Sequence, residues 1–348
     1  MRVAVVGATG AVGSIMLDVL RRRGFPADEV VPFATERSEG RRLDNADAPV
    51  RVLADDTIEG FDLALFSAGG ATSRAWAPKF AQAGAVVVDN SSAWRMHDDV
   101  PLVVTEVNAD ALAGHRGIVA NPNCTTMVAM LPLKALHDAF GLQAMVATSY
   151  QAAGGAGQKG IDELAAQVPV VGEDVDQLVN DGDAARRKVE SRVHADTLAF
   201  NVVPMLGKLV DDTGYTDEEL KLQNESRKIL SIPGLAVAPT CVRVPVMVGH
   251  AVAVLASFER PVDLDAALDA LGAFPNLVVQ DAPTPLEWAG RDEVAVGRVR
   301  RDLADPEHGL NLFVVGDNLL KGAALNTVQI AEELHARDLV RPAEPALS

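Results

Sequence analysis

Arg2-Val3-Ala4-Val5-Val6-Gly7-Ala8-Thr9-Gly10-Ala11-Val12-Gly13 decides how the first third of the chain is built. Residues 3–6 are all apolar, as a strand buried on both faces of a parallel sheet must be. Glycines at 7, 10 and 13 follow directly, and the stretch 11–23 predicts a helix ending near Gly24. Strand, glycine turn and helix together let backbone N–H groups reach a pyrophosphate at the positive end of a helix. Gly7, Thr9, Gly10, Ala11, Val12 and Gly13 are therefore candidate cofactor contacts, and the same glycines would also serve a tight turn without a ligand. Residues 30–34, 63–67 and 86–89 read as further buried strands, with a crossover helix over 71–83. Beyond the second strand, an acidic residue suits the ribose 2′-OH of NAD and an arginine suits the 2′-phosphate of NADP. Arg37 and Ser38 can clamp a phosphate there, while Glu36 opposes it if it points inward; the reading favours NADP.

Asn121-Pro122-Asn123-Cys124-Thr125-Thr126 places a cysteine where a strand over 117–120 gives way to a helix over about 125–139. The helix dipole favours the thiolate there, and free N–H groups could hold an oxyanion on a substrate carbonyl. Cys124 is thus either a nucleophile or a buried structural cysteine.

After Cys124 the texture changes to a strand over 144–151, a glycine turn over 154–157, and a polar excursion over 170–200 with little core. A helix over 216–230, capped by Thr216, precedes two long apolar strands, 237–247 and 250–258, joined by a tight turn at Val248-Gly249. Strands over 294–300 and 311–315 complete a second, mixed α+β domain, and a helix over 319–337 is expected to pack on the first. The fold class is therefore α/β. An N-terminal dinucleotide-binding domain spans 1–123 with the C-terminal segment 318–348, a catalytic and dimerisation domain spans 124–317, and 342–348 form a frayed tail.

Hydrophobic residues make up 48% and charged residues 23%, the profile of a soluble enzyme. A formal net charge of -17 argues against nucleic acid and anionic membranes as partners. Two cysteines imply no disulfide framework. With no signal-peptide pattern and no apolar run near the roughly 18–20 residues of a membrane span, the reading is cytoplasmic. No His/Cys/carboxylate cluster has metal-ligand spacing.

These motifs, with Asp89-Asn90-Ser91-Ser92-Ala93-Trp94-Arg95, Ser149-Tyr150-Gln151-Ala152, Arg243-Val244-Pro245-Val246, Gly249-His250 and Gly316-Asp317-Asn318-Leu319-Leu320-Lys321-Gly322-Ala323-Ala324, occur in the order of one family. The chain resembles aspartate-semialdehyde dehydrogenase over nearly its whole length. The resemblance implies a Rossmann-type cofactor domain, a homodimer, and NADPH-dependent reductive dephosphorylation of L-aspartyl 4-phosphate to aspartate 4-semialdehyde. That step belongs to lysine, methionine, threonine and diaminopimelate biosynthesis. It makes Cys124 the nucleophile that forms a thioester, with Asn123 beside it, His250 the acid/base, and Gln151 the residue orienting the substrate. Arg243 would pair with the α-carboxylate, as guanidinium geometry allows; a surface charge at a strand edge is the alternative. Asn90, Arg95 and Lys221 match phosphate ligands, Glu218 the partner of the substrate ammonium, and Gly154, Gly155 and Asn318 nicotinamide-nucleotide contacts. Spacing alone leaves Glu218 and Lys221 equally readable as an exposed helix ion pair.

Gly154 stands where that family often carries serine, which removes a side-chain hydrogen bond to the cofactor, and Trp94 stands where phenylalanine is common. Cys241 reads as a packed strand residue, and His97, His115, His137, His194, His308 and His335 as surface residues. The competing activity is that of an N-acetyl-γ-glutamyl-phosphate reductase, whose acetylated nitrogen would need no anion at Glu218. A catalytically silent nucleotide-binding scaffold is the third reading.

Overall fold

The structure is a computed structural model that describes residues 1–340; the expected tail at 342–348 lies outside the described residues. The chain divides into two compact units, one of residues 1–130, 225–232 and 319 onward, the other of 131–224 and 233–318.

The first unit is built on five parallel strands, β1 (Arg2–Val6), β2 (Glu29–Phe33), β3 (Leu63–Phe66), β4 (Val86–Asp89) and β5 (Ile118–Ala120), in the order β2-β1-β3-β4-β5. The winding reverses between β1 and β3, and in open parallel sheets ligands bind outside the strand C-termini at that point. Helix Ala11–Arg22 and the terminal helix Asn326–Ala336 bury Leu17, Leu20, Val328 and Ala331 in one core with Val3, Val5 and Leu65. Phe33, Phe66 and Phe80 meet edge to face at 5.4–6.0 Å, contacts worth about 0.5–1.5 kcal/mol each beyond their burial.

The second unit carries a six-stranded mixed sheet, β6 (Leu142–Gln151), β7 (Ala236–Arg243), β8 (His250–Phe258), β9 (Leu277–Val279), β10 (Val294–Arg301) and β11 (Gly309–Gly316), in the order β7-β6-β8-β11-β10-β9. The two long strands expected as neighbours are not paired. The first ends at Arg243, and β6 lies between it and β8, parallel to β7 and antiparallel to β8. Residues 244–249 instead cross the end of β6: Val244 N–H donates to Gln151 O, Ala153 N–H to Val246 O and Gly154 N–H to Met247 O. The chain turns back at Gly249, where φ is 98° and a Cβ would lie 2.9 Å from Pro285.

The polar stretch 170–200 has more core than expected. Helix Gln158–Val171 precedes it, and Leu164, Val171, Ala185, Leu198 and Ala199 form a small apolar cluster. Polar residues of that helix anchor the stretch. Gln167 accepts the N–H groups of Leu198 and Ala199, and Glu163 accepts those of Arg192, Val193 and His194. His194 and His115, expected at the surface, are buried for the same reason: His194 Nε2 lies 3.1 Å from Gly160 O and His115 Nε2 2.9 Å from Leu339 O. Helix Asp217–Leu230 begins with a reciprocal cap, Glu219 N–H to Thr216 Oγ1 and Thr216 N–H to Glu219 Oε2, worth about 1 kcal/mol. Among the described residues no helix is long and apolar enough to cross a membrane.

Candidate active site

In the first unit the site starts from sheet register. Asp89 and Ala120 are paired ends of β4 and β5, so the loops 90–95 and 121–123 leave the sheet side by side. Asn121 links them: its Nδ2 donates to Asn90 Oδ1 at 2.7 Å, and its Oδ1 accepts from Asn326 Nδ2 at 2.6 Å. Asp89 is fully buried, which pushes its pKa up against the pull of two bonds from Ser91.

Cys124 is the first residue of the 17-residue helix Cys124–Phe140 and is partly exposed. The Asn123 side chain caps that helix, accepting from Thr125 N–H at 2.9 Å and Thr126 N–H at 3.4 Å. Asn123 N–H itself donates to Glu225 Oε2 at 2.7 Å. The N–H groups of 123, 125 and 126 are thus committed and are not the oxyanion donors that the sequence suggests. Arg95 is turned inward and is 7% exposed. Its Nε donates to Asn121 O at 2.9 Å, its Nη2 to Asn90 O at 2.9 Å, and its Nη1 to Glu225 Oε1 at 3.1 Å. Glu225 was missed by sequence reasoning, and no motif around it points to this place.

The dinucleotide end of the same unit separates packing from ligand. A Cβ at Gly7 would lie 2.3 Å from Ser67 O, and one at Gly13 2.1 Å from Gly7 O, so the turn itself excludes any side chain there. Gly10 is different, since its nearest neighbour would be 3.3 Å away and the residue is exposed. A ligand approaching the helix end explains that glycine better than packing does. The helix Ala11–Arg22 has no side-chain cap and no acidic residue in its first turn, which suits an anion. Arg37 and Ser38 sit in a short turn just past β2, with Arg37 and Glu36 both exposed.

In the second unit, strand register again assembles the site. Gln151 and Arg243 are paired ends of β6 and β7, and the next residue, Ala152, serves two side chains. Its C=O accepts from Arg243 Nη1 at 2.7 Å and its N–H donates to His250 Nδ1 at 3.0 Å. With Nδ1 an acceptor, the neutral ring carries its proton on Nε2. Burial, reinforced by the charge of Arg243, holds the His250 pKa well below the ordinary histidine value. Gly155 faces both groups: a Cβ there would lie 2.7 Å from Arg243 Nη1 and 3.2 Å from His250 Nε2.

Gln151 is buried and donates from Nε2 to Ser149 Oγ at 3.3 Å and Glu218 Oε1 at 3.4 Å. Lys221 bonds Asp217 at 2.7 Å and Glu218 at 3.1 Å. Burial alone would lower the Lys221 pKa, but these carboxylates outweigh it and raise it. Glu218, with 15% of its side chain exposed, is too enclosed for an ordinary surface ion pair. Asn318 is buried; its Oδ1 accepts from Gly249 N–H at 2.8 Å, while Nδ2 has no partner among the described residues. A buried unpaired donor fits an acceptor on a ligand, such as a carboxamide oxygen. The buried Cys241 thiol is pushed up to about 12, first by its burial, and is inert at neutral pH.

Residues 2–115 match the family described as semialdehyde dehydrogenase, NAD binding domain, and residues 133–321 that described as semialdehyde dehydrogenase, dimerisation domain. The chain is 52% identical over 334 residues to an aspartate-semialdehyde dehydrogenase of Streptomyces akiyoshiensis, covering 95% of this chain and 98% of that protein. It is 50% identical to that of Mycolicibacterium smegmatis, covering 97% and 99%. Among solved structures, aspartate semialdehyde dehydrogenase II of Vibrio cholerae, complexed with ASA, superposes with a TM-score of 0.87 at 44% identity, over 97% of this chain and 98% of that one.

Proposed function

The chain belongs to the aspartate-semialdehyde dehydrogenase family, an oxidoreductase family of amino-acid biosynthesis, and from that premise we propose the roles of its residues. Cys124 attacks the carbonyl of L-aspartyl 4-phosphate as thiolate; the new C–S bond replaces the bond to phosphate, which leaves as the inorganic ion. When bound, the nicotinamide supplies the hydride that reduces the thioester. The resulting tetrahedral oxyanion reforms its C=O and expels the Cys124 thiolate, leaving the aldehyde. His250, as acid/base, offers the Nε2 proton to the charge that develops on oxygen and sulfur. Arg243 takes the α-carboxylate, Glu218 the ammonium, and Gln151 orients the carbonyl. Lys221, Asn90 and Arg95 serve the phosphate end. Because three Arg95 nitrogens already donate within the first unit, its contribution there is mainly charge.

The observation that carries this reading is Ala152, whose C=O holds Arg243 and whose N–H holds His250, so that one residue anchors both side chains. NADP is the cofactor we favour. The open N-terminus of helix Ala11–Arg22 and Gly10 suit the pyrophosphate, Arg37 and Ser38 the 2′-phosphate, and Asn318 Nδ2 with Gly154 the nicotinamide end; Gly155, expected there from the resemblance, faces Arg243 and His250 instead.

A homodimer is also proposed, through the six-stranded sheet. Val146 is 51% exposed on β6, and Tyr150 and Ala238 share that open face. Parallel strands such as β6 and β7 are ordinarily covered on both sides, and a second copy supplies the missing cover. The longer acetylated substrate is disfavoured by the enclosed Glu218 carboxylate, which an acetylated nitrogen would not use.

The deciding experiment is nicotinamide reduction by the purified protein with aspartate 4-semialdehyde, with and without inorganic phosphate, comparing NADP and NAD. Phosphate-dependent reduction with a preference for NADP is expected. Equal rates with both cofactors would refute the Arg37 role, and reduction independent of phosphate would refute the thioester route.

A further inference from the structure

Glu225 is 1% exposed, a carboxylate buried within the first unit on helix Asp217–Leu230. Charged groups are kept inside only when paired, and here the pairing is specific. Oε1 accepts from Arg95 Nη1 at 3.1 Å, and Oε2 accepts the backbone N–H of Asn123, the residue before Cys124, at 2.7 Å. Arg95 spends its other two nitrogens on the carbonyls of Asn90 and Asn121, so one guanidinium joins the loops that leave β4 and β5. One turn along the helix, Lys228 Nζ donates to the carbonyls of Arg95, His97 and Val100 at 2.8–2.9 Å, holding the Arg95 loop from its other side. Charged groups near the carboxylate include Arg95 and Lys228, with Asp98 acting on Lys228.

We propose that Glu225 is a positioning residue for the reaction: its carboxylate pins the Asn123–Cys124 turn through a backbone N–H and holds Arg95 in the adjoining loop. The inference rests on the reading of Cys124 as nucleophile. Arg95 Nη1 and Asn123 N–H are both donors, one to each carboxylate oxygen, which accounts for the choice of side chain. Glutamine offers one acceptor oxygen, so its NH₂ would face a donor at one of the two bonds. Aspartate keeps the charge but is one methylene too short to span both.

The test uses Glu225→Gln, Glu225→Asp and Cys124→Ser beside the wild type. Two quantities are read: the pH midpoint of iodoacetamide alkylation at Cys124, followed on its peptide by mass spectrometry, and kcat and KM for aspartate semialdehyde. In Glu225→Gln the negative charge on the N–H of Asn123, next in sequence to the cysteine, is removed while Arg95 and Lys228 keep theirs, so the midpoint should fall by about half a pH unit or more. Loss of one bond to a charged group should lower kcat about tenfold or more, with KM for the semialdehyde within about twofold. Glu225→Asp should keep the wild-type midpoint and still lose kcat. An unmoved midpoint in the Gln variant overturns the proposal whatever happens to kcat, because a merely structural defect would not move it. If the Gln variant does not fold, wild-type kcat in the Asp variant overturns it instead. Turnover retained by Cys124→Ser would refute the nucleophile reading separately, since the alkylation profile does not depend on turnover.

Discussion

Gly155→Ala should separate catalysis from cofactor binding. A Cβ built at 155 lies 2.7 Å from Arg243 Nη1 and 3.1 and 3.2 Å from His250 Cε1 and Nε2. The arginine end is flexible and can swing away, and the buried ring needs to yield only a few tenths of an ångström. The fold should therefore tolerate the methyl near the low end of overpacking costs, about 1 kcal/mol, and Tm should stay within about 4 °C. Function is more exposed. Swinging Arg243 aside breaks its 2.7 Å bond to Ala152 O and unseats the proposed carboxylate pairing. Hydrogen bonds to charged groups contribute about 1.5–3 kcal/mol, so kcat/KM for aspartate semialdehyde should fall roughly ten- to hundredfold. Dissociation of NADP, followed by fluorescence titration, should change less than about twofold. Gly154→Ala is the contrast: its Cβ would lie 2.9 Å from Met247 O and 3.6 Å from Asn318 Nδ2, on the side proposed for the nicotinamide. That variant should weaken NADP binding more than it raises KM for the semialdehyde. Wild-type kcat/KM in Gly155→Ala, or cofactor affinity falling as far as kcat/KM, would refute the reasoning.

Cys124→Ser should abolish turnover while leaving the thermal melt unchanged; wild-type rates would remove Cys124 from the mechanism. Arg37→Ala should raise KM for NADP about tenfold and leave that for NAD nearly unchanged, since only the 2′-phosphate is lost as a partner. Val146→Arg, placed on the open sheet face, should shift the protein toward monomer in sedimentation equilibrium, and an unchanged dimer would exclude that face. Burial lowers the pKa of His115, His194 and His250 in the folded state. A depressed folded pKa gives stability that is full above the unfolded value of about 6.5 and lost as pH falls through the folded ones. Tm should thus be flat above about pH 7 and decline between about pH 6.5 and 5; a constant Tm across that range would refute neutral burial of these rings.

The sequence by itself determined what lies within a few residues along the chain. The strand, glycine turn and helix of residues 2–22, the cysteine opening its own helix, and the Thr216–Glu219 cap are all local, because the groups that stabilise them are near neighbours. The motifs of Gln151, Arg243 and His250 were legible too, though not the residue that joins them. Only the tertiary structure decided that β6 separates β7 from β8, which brings Ala152 between Arg243 and His250. It also decided that His115 and His194 are enclosed and that Gly155 faces the arginine and histidine. Glu225 reaches Asn123 from 102 residues away, and residues 225–232 join the first unit although the flanking sequence belongs to the second. Strand order and burial depend on contacts whose free energy exists only after long loops have closed, so no short window of sequence carries them.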